Sequence, residues 1–181
     1  MYTQGYGQIL DIDLSTGRIK KTAVDSRFAR KYIGGGGFGH KILFDEVGPE
    51  IDPYSPENIV VFANGPFTGT KAPCGGRTEV TTIHPLTGNI GTGNTGGIWG
   101  AVLKHAGFDV IIVRNRAEKP VYLWIDDDTV EIRDAGHLWG KDARVTSDIL
   151  REELSRRVSV MAIGQAGENL VRYALVLNDY Y

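Results

Sequence analysis

Leu10, Ile12 and Leu14 alternate with Asp11 and Asp13, the period of two expected of a strand with one wet face. Ser15-Thr16-Gly17 predicts a turn and Arg18–Val24 the returning strand. Asp25 is placed to cap a short helix that carries Phe28, Tyr32 and Ile33 on one side and stops at Gly34. A second short helix is predicted over Phe38–Val47, with Ile42 and Leu43 inward, before the break at Gly48-Pro49. Asp52-Pro53-Tyr54-Ser55-Pro56 is a rigid loop, because each proline holds its predecessor extended. Asn58–Ala63 reads as a buried strand, Asn64–Arg77 as a loop, and Arg77–His84 as a β-branched strand. Pro85–Thr95 reads as a second glycine-rich loop. A helix over Gly96–Ala106 follows, ended by Gly107, and then the apolar strand Phe108–Val113. Val121–Ile125 and Thr129–Arg133 predict a hairpin across Asp126-Asp127-Asp128, and Thr146–Leu154 an amphipathic helix. Arg157–Ile163 and Val171–Leu177 are expected to be strands around a turn at Gly164–Asn169.

Strands outnumber helices and most neighbours are expected to be antiparallel, so the fold class is α+β rather than a βαβ alternation. A hairpin followed by a helix occurs twice, near residues 8–33 and 121–154. That hints at duplication, although the two stretches do not repeat in sequence.

Composition narrows the function classes. The 181 residues are 41% apolar and 23% charged, an ordinary folded composition. Lys and Arg number 20 against 22 Asp and Glu, so no basic excess drives binding to nucleic acid. No apolar run is long enough to span a membrane, and polar Met1–Gln8 does not read as a signal peptide. A single cysteine, Cys74, excludes an internal disulfide and a four-cysteine metal or iron–sulfur site, and points to a reducing cytoplasm. Glycine is the abnormal figure, with 24 residues clustered at Gly34–Gly39, Gly65–Gly76 and Gly88–Gly100. Such density suits backbone that turns sharply or approaches a ligand closely. The chain stops abruptly after the last predicted strand, at Asn178-Asp179-Tyr180-Tyr181, which reads as a cut or a domain boundary.

Two G-x-G-x-x-G matches occur, at Gly34, Gly36 and Gly39 and at Gly91, Gly93 and Gly96. The first follows a helical segment. The second has a poor strand before it, although Glu118 lies about 20 residues on, as a dinucleotide site requires. A Rossmann-type dinucleotide binder is therefore a lesser alternative. Gly93-Asn94-Thr95-Gly96-Gly97 is expected to open a helix whose free N–H groups suit a phosphate; the plainer alternative makes Asn94 or Thr95 an N-cap. Arg77, after Gly75-Gly76, could hold a phosphate or a pterin-like heterocycle through its fork of donors, or be a surface arginine. Cys74 is expected to be a small buried residue. His40, His84, His105 and His137 lack metal-ligand spacing. The three aspartates at 126–128 read as a solvated turn, and Asp11 and Asp13 as strand surface. Trp99, Trp124 and Trp139 are assigned to core or interface.

In order along the chain, these motifs resemble the N-terminal domain of the tungsten-containing aldehyde ferredoxin oxidoreductase family. The matching segments include Asp13-Leu14-Ser15-Thr16-Gly17, Tyr32-Ile33-Gly34-Gly35, Ser55-Pro56-Glu57-Asn58, Gly65-Pro66 with Thr68-Gly69-Thr70, and Gly75-Gly76-Arg77. They continue through Pro85-Leu86-Thr87-Gly88, Asn94-Thr95-Gly96-Gly97, Ala106-Gly107-Phe108-Asp109, Leu138-Trp139-Gly140 and Ala166-Gly167-Glu168-Asn169. The resemblance implies one N-terminal cofactor-binding domain over 1–181, with duplicated, mostly antiparallel sheets forming a saddle for a tungsten (or molybdenum) bis-molybdopterin. It implies that Arg77 sits between the pterin and a [4Fe–4S] cluster, and that Asn94, Thr95, Gly96 and Gly97, with Gly76, meet the pterin phosphates. The Asn94 backbone carbonyl would help hold a Mg²⁺ ion. The implied reaction is oxidation of an aldehyde by water to a carboxylic acid, with electrons leaving through the cluster to ferredoxin. The cluster would belong to the complete enzyme only. Remaining domains, or a separate subunit, would carry it and the acid–base groups, so no catalytic residue is assigned here. The chain alone should be inactive, cytoplasmic and prone to self-association. The alternative is a non-catalytic pterin-binding or partner module that docks on a separate cluster-bearing subunit. Four positions depart from the family pattern: Gly36 where arginine is frequent, Cys74 for threonine, Glu79 for asparagine and Val102 for glutamate.

Overall fold

The computed structural model of the chain describes residues 5–180; Met1–Gln4 of the polar N-terminal stretch and Tyr181 lie outside the described residues. Six strands form the main sheet: β1 (Gln8–Asp13), β2 (Arg18–Ala23), β3 (Ile59–Asn64), β4 (Thr78–Ile83), β5 (Ile90–Thr95) and β6 (Phe108–Arg114). Their order is β2-β1-β6-β3-β4-β5. Only the β1–β6 pairing is parallel; the other four are antiparallel. β6 lies inside the sheet, and Phe108–Ile112 is buried throughout, as its apolar residues require of a strand covered on both faces; Asp109, buried among them, is paired with Lys104.

Strand alternation divides the side chains into two cores. On one face Val61, Ala63, Val110 and Ile112 meet helices α1 (Ser26–Tyr32) and α2 (Gly36–Glu46) through Ala29, Phe38, Ile42 and Leu43. On the other, Leu10, Ile12, Phe108 and Ile111 meet Leu103 of helix α3 (Trp99–His105). The hairpin of β7 (Val121–Asp126) and β8 (Thr129–Asp134) closes that second core with Leu123, Ile125, Val130 and Ile132. Asp25 caps α1 as expected, accepting from the backbone N–H groups of Arg27 and Phe28. α2 lies very close to β4: a Cβ at Gly39 would collide with the Thr81 hydroxyl.

Beyond the hairpin, a short 3₁₀ turn (Gly136–Leu138) and helix α4 (Ala143–Glu153) build a third, smaller core from Ala135, Leu138, Leu150 and Val160. The remaining elements are β9 (Met161–Ala162), the one-turn helix α5 (Gln165–Glu168) and β10 (Leu177–Asn178), which pairs antiparallel with β9. The architecture is thus mixed sheets with a few short helices, α+β as read from the sequence.

Three expectations are corrected. The supposed loop Pro85–Thr95 ends in a six-residue edge strand, because Ile90–Thr95 pairs residue for residue with β4 despite Gly91 and Gly93. The helix expected from Gly96 starts only at Trp99, with Ile98 at its N-cap and no side-chain cap bond. The strands expected over 157–163 and 171–177 shrink to two residues each, because the chain turns within both stretches, closed by Val158 N–H to the Ser155 carbonyl and Ala174 N–H to the Val171 carbonyl. Hairpin–helix units do occur twice, but β1–β2 is built into the six-stranded sheet while β7–β8 forms a sheet of its own.

Candidate functional site

Arg77 precedes β4, and Asn94 lies opposite Glu79 in the β4–β5 register. Residues 77 and 79 therefore project from one face of the ribbon, and Asn94 from the same face. The Arg77 guanidinium donates to Asn94 Oδ1 at 3.0 Å. Gly96 leaves room beside it: a Cβ there would stand 3.8 Å from an Arg77 guanidinium nitrogen. A Cβ on Gly76 would stand 3.4 Å from the Gly97 carbonyl oxygen. Arg77, Asn94, Gly76, Gly96 and Gly97 are thus brought together from segments that the sequence separates by up to 21 positions (97 − 76). Thr95 is not: alternation turns it to the opposite face of the sheet, where it pairs with buried Thr78.

A cleft of about 270 Å³ opens beside the guanidinium. Its walls come from all three glycine clusters: Gly35 and Gly36 at the start of α2, Gly65 and Gly75 in the long loop, and Asn94 on β5. Phe67 and Thr68 line it from the loop and Glu79 from β4. The first glycine cluster reads as irrelevant when taken as a dinucleotide fingerprint. Its density, rather than its pattern, was the usable signal.

The loop is held by a buried polar hub that the sequence does not advertise. Asn64, fully buried at the end of β3, donates to the Gly100 carbonyl at 3.1 Å and accepts from the Thr78 hydroxyl at 2.7 Å. Its own backbone carbonyl accepts from Gly35 N–H at 2.9 Å. Thr68, also buried, donates to the Arg77 carbonyl at 3.0 Å. β3, β4, α2 and α3 are therefore fastened around the cleft by hydrogen bonds in a dry environment, where each partner is costly to lose.

Electrostatically the cleft is two-signed. Arg77 is exposed, which leaves donors of its fork for an anion. Glu79 faces Gly35 and Gly36: a Cβ at either would rest 3.7 or 3.6 Å from its Cγ. Glu79 Oε2 is buried with no hydrogen-bond partner among the described residues. Positions 36 and 79, both marked as departures only by the resemblance, thus fall face to face in one cleft.

The structure corrects several other readings. The phosphate argument placed Asn94 at a helix N-terminus; Asn94 lies in a strand, and neither it nor Thr95 caps α3. Neither glycine match forms a Rossmann turn, for the first joins two helices and the second begins inside an edge strand. Cys74 is exposed, with φ 60° in a tight loop that turns its side chain outward. Trp139 is half exposed, so of the core and interface readings only the second remains. Asp11 is ion-paired with Arg114 at 2.8 Å rather than simply wet. Among the described residues no cluster of three or more His, Cys, Asp or Glu could hold a metal, and no helix is long and apolar enough to cross a membrane.

The fold is thus an α+β domain with an exposed guanidinium beside glycine-walled, side-chain-poor turns. The family model of the aldehyde ferredoxin oxidoreductase N-terminal domain matches residues 9–181, and the chain belongs to that family. The tungsten-containing aldehyde ferredoxin oxidoreductase of Pyrococcus horikoshii is 50% identical over 175 residues, which are 96% of this chain and 29% of that relative. The aliphatic sulfonate oxidoreductase WOR-like subunit of Pyrococcus furiosus is 34% identical over 94% of this chain and 30% of its own length. Among solved structures, the active-site complex BamBC of benzoyl coenzyme A reductase with 1,5-dienoyl-CoA superposes with a TM-score of 0.93 at 45% identity, over 96% of this chain and 27% of that one. The chain thus spans less than a third of these relatives.

Proposed function

We propose that this domain seats one edge of a tungsten (or molybdenum) bis-molybdopterin in an aldehyde:ferredoxin oxidoreductase-like enzyme. The observation that carries this reading is the Arg77–Asn94 pair at the mouth of the glycine-walled cleft. The residues fit such a group. Arg77 supplies charge-assisted donors for a phosphate or a heterocycle edge. Gly93 adds no bulk to the β5 edge, and a Cβ there would meet nothing within 4 Å. Buried Glu79 Oε2 is left for a donor. A volume of about 270 Å³ suits an edge of the ligand rather than the whole of it. The Asn94 backbone carbonyl is the proposed contact to Mg²⁺, and Gly76, Gly96 and Gly97 let phosphate groups come close to the backbone. The sheets serve as a saddle, and the paired hairpin–helix units as a duplication.

When bound, the cofactor supplies the two-electron chemistry that converts an aldehyde and water into a carboxylic acid, two protons and two electrons. This chain's residues bind and orient; none abstracts the proton. With one cysteine in the sequence, the [4Fe–4S] cluster that passes electrons to ferredoxin is built from other domains or another subunit, in the cytoplasm. The isolated chain does not turn over. Its exposed Phe67, Ile98, Tyr173 and Leu175 favour self-association or docking. The likeness to a benzoyl coenzyme A reductase complex supports reductive chemistry on an aromatic thioester as a second reading.

Arg77→Ala in the complete enzyme, purified without oxygen, tests the assignment. Tungsten and pterin content, or electron transfer, should fall several-fold. Unchanged metal, pterin and turnover together would refute it. Supplying an aldehyde or an aromatic acyl-CoA to the unmodified enzyme separates the two directions of chemistry.

A further inference from the structure

In the turn that follows Asn94 the one side chain is that of Thr95, whose hydroxyl reaches the Gly96 carbonyl only at 3.5 Å. Gly96 and Gly97 leave the edge of the sheet together, and Gly97 has φ +84°. Free glycines sample many conformations, yet this turn must keep Asn94 in register with Arg77. A firmer restraint on the same carbonyl comes from the far end of the chain. Asn178, 1% exposed in β10, donates its side-chain N–H to the Gly96 carbonyl. A Cβ at Gly97 would come within 2.7 Å of the same Asn178 nitrogen, so glycine at 97 is what lets the amide reach.

Asn178 is itself held firmly. It pairs with Met161 across the β9–β10 ladder. Its neighbour Asp179 accepts from Arg151 at 2.6 Å, Ser159 at 2.7 Å and the Val160 N–H at 3.0 Å, while its own N–H donates to the Val160 carbonyl at 2.6 Å. The Asn178 amide oxygen, by contrast, is buried without a partner among the described residues. An orphan acceptor in a dry site is expensive, and an apolar residue would remove the expense. Retaining the amide gains only the bond to Gly96.

We propose that Asn178 is a positioning residue for the Arg77–Asn94 cleft, acting through the Gly96 carbonyl to fix the turn on which Asn94 depends. The third core and the cleft are thereby coupled, and ligand seating depends on a residue 82 positions away from the turn it grips. The consequence for cofactor rests on the function proposed above; the clamp itself does not.

The isosteric variant Asn178→Asp removes the donor. Hydrogen-exchange mass spectrometry on the full chain should show amides of residues 94–98 exchanging about tenfold faster, the loss of one hydrogen bond's restraint, with β1 and β6 unchanged. In the complete protein purified without oxygen, tungsten and pterin per chain should fall several-fold, with the melting temperature lowered by the buried carboxylate but the cooperative transition kept. Should Asn178→Asp fail to fold, Gly97→Ala attacks the same contact from its other side and should loosen the same amides. Unaltered exchange at 94–98 overturns the clamp. Faster exchange with full cofactor content overturns its role in seating. Absence of tungsten and pterin from the unmodified protein refutes the proposed function instead, and the exchange rates still decide the clamp.

Discussion

The body of the domain, residues 5–114, and the segment from 121 to 180 are held together by different physics. In the body, a six-stranded sheet buries apolar side chains on both faces, and its middle strand is dry along most of its length. Phe38 is fully buried, with the Phe28 ring 4.7 Å from its own. In the second segment the ladders have two strands each, and one is two residues long. Polar fastenings take over there. Asp179 is the centre of a five-bond network, Glu168 accepts from the Gly140 N–H at 2.9 Å, and Gln165 donates to the Gly140 carbonyl at 2.7 Å. The lesson is that area holds the body and geometry holds the tail. A surface that loses one methylene loses a fraction of its free energy, whereas a network that loses its central acceptor loses several bonds at once.

The largest expected effect tests the body. Phe38→Ala should cost about 3–5 kcal/mol, read by chemical denaturation, because it leaves a cavity between α2 and the sheet. Loss of under 1 kcal/mol would show that the sheet does not depend on this core. Asp179→Ala comes next, at roughly 2–4 kcal/mol, because it strands the half-buried Arg151 guanidinium and two other donors. Hydrogen exchange should then rise over residues 155–180 and leave β3 and β6 protected; equal loosening everywhere would mean the two regions unfold as one unit and would break the comparison. The smallest effect is electrostatic and lies in the body. Hydrogen bonds from Asn115 and Ser15 hold the Asp13 carboxyl well below the usual carboxylate range, and the Phe28 N–H, opposed by desolvation and helped by the Arg27 N–H, lowers Asp25. Groups whose folded pKa is depressed stabilise above their unfolded value, near 4, and lose that stabilisation as pH falls through the folded value. Melting temperature should therefore be insensitive to these two aspartates from pH 5 to 8 and should fall below about pH 4, less steeply in the Asp25→Asn variant.

Much of the fold was legible because local chemistry settles it. Alternation at Leu10–Leu14, the Asp25 cap and the apolar run at 108–113 each act over a few residues, and the structure keeps all three. β5 was missed because its glycines carry no strand propensity. Its conformation comes from β4, whose open edge pairs with it in full register. Cys74 was misplaced because exposure depends on how a loop folds over its neighbours, and a positive φ turned it outward. In the cleft, Arg77, Asn94 and the glycines were visible as residue types suited to a ligand. Gly36 and Glu79 were visible too, as departures that the resemblance implies; that they meet in one cleft was not, since nothing in their own segments brings α2 to β4.

The sequence by itself determined the element types, the α+β class and a resemblance that the family match bears out, because periodicity, capping and motif order are written in neighbouring residues. Tertiary structure alone decided that three glycine clusters meet at one guanidinium, that Asn64 ties four elements around them and that Asn178 reaches back to Gly96. Those contacts span 14 to 82 positions (78 − 64; 178 − 96). Contacts at such separation form only when the whole chain offsets the entropy of closing the loops between them.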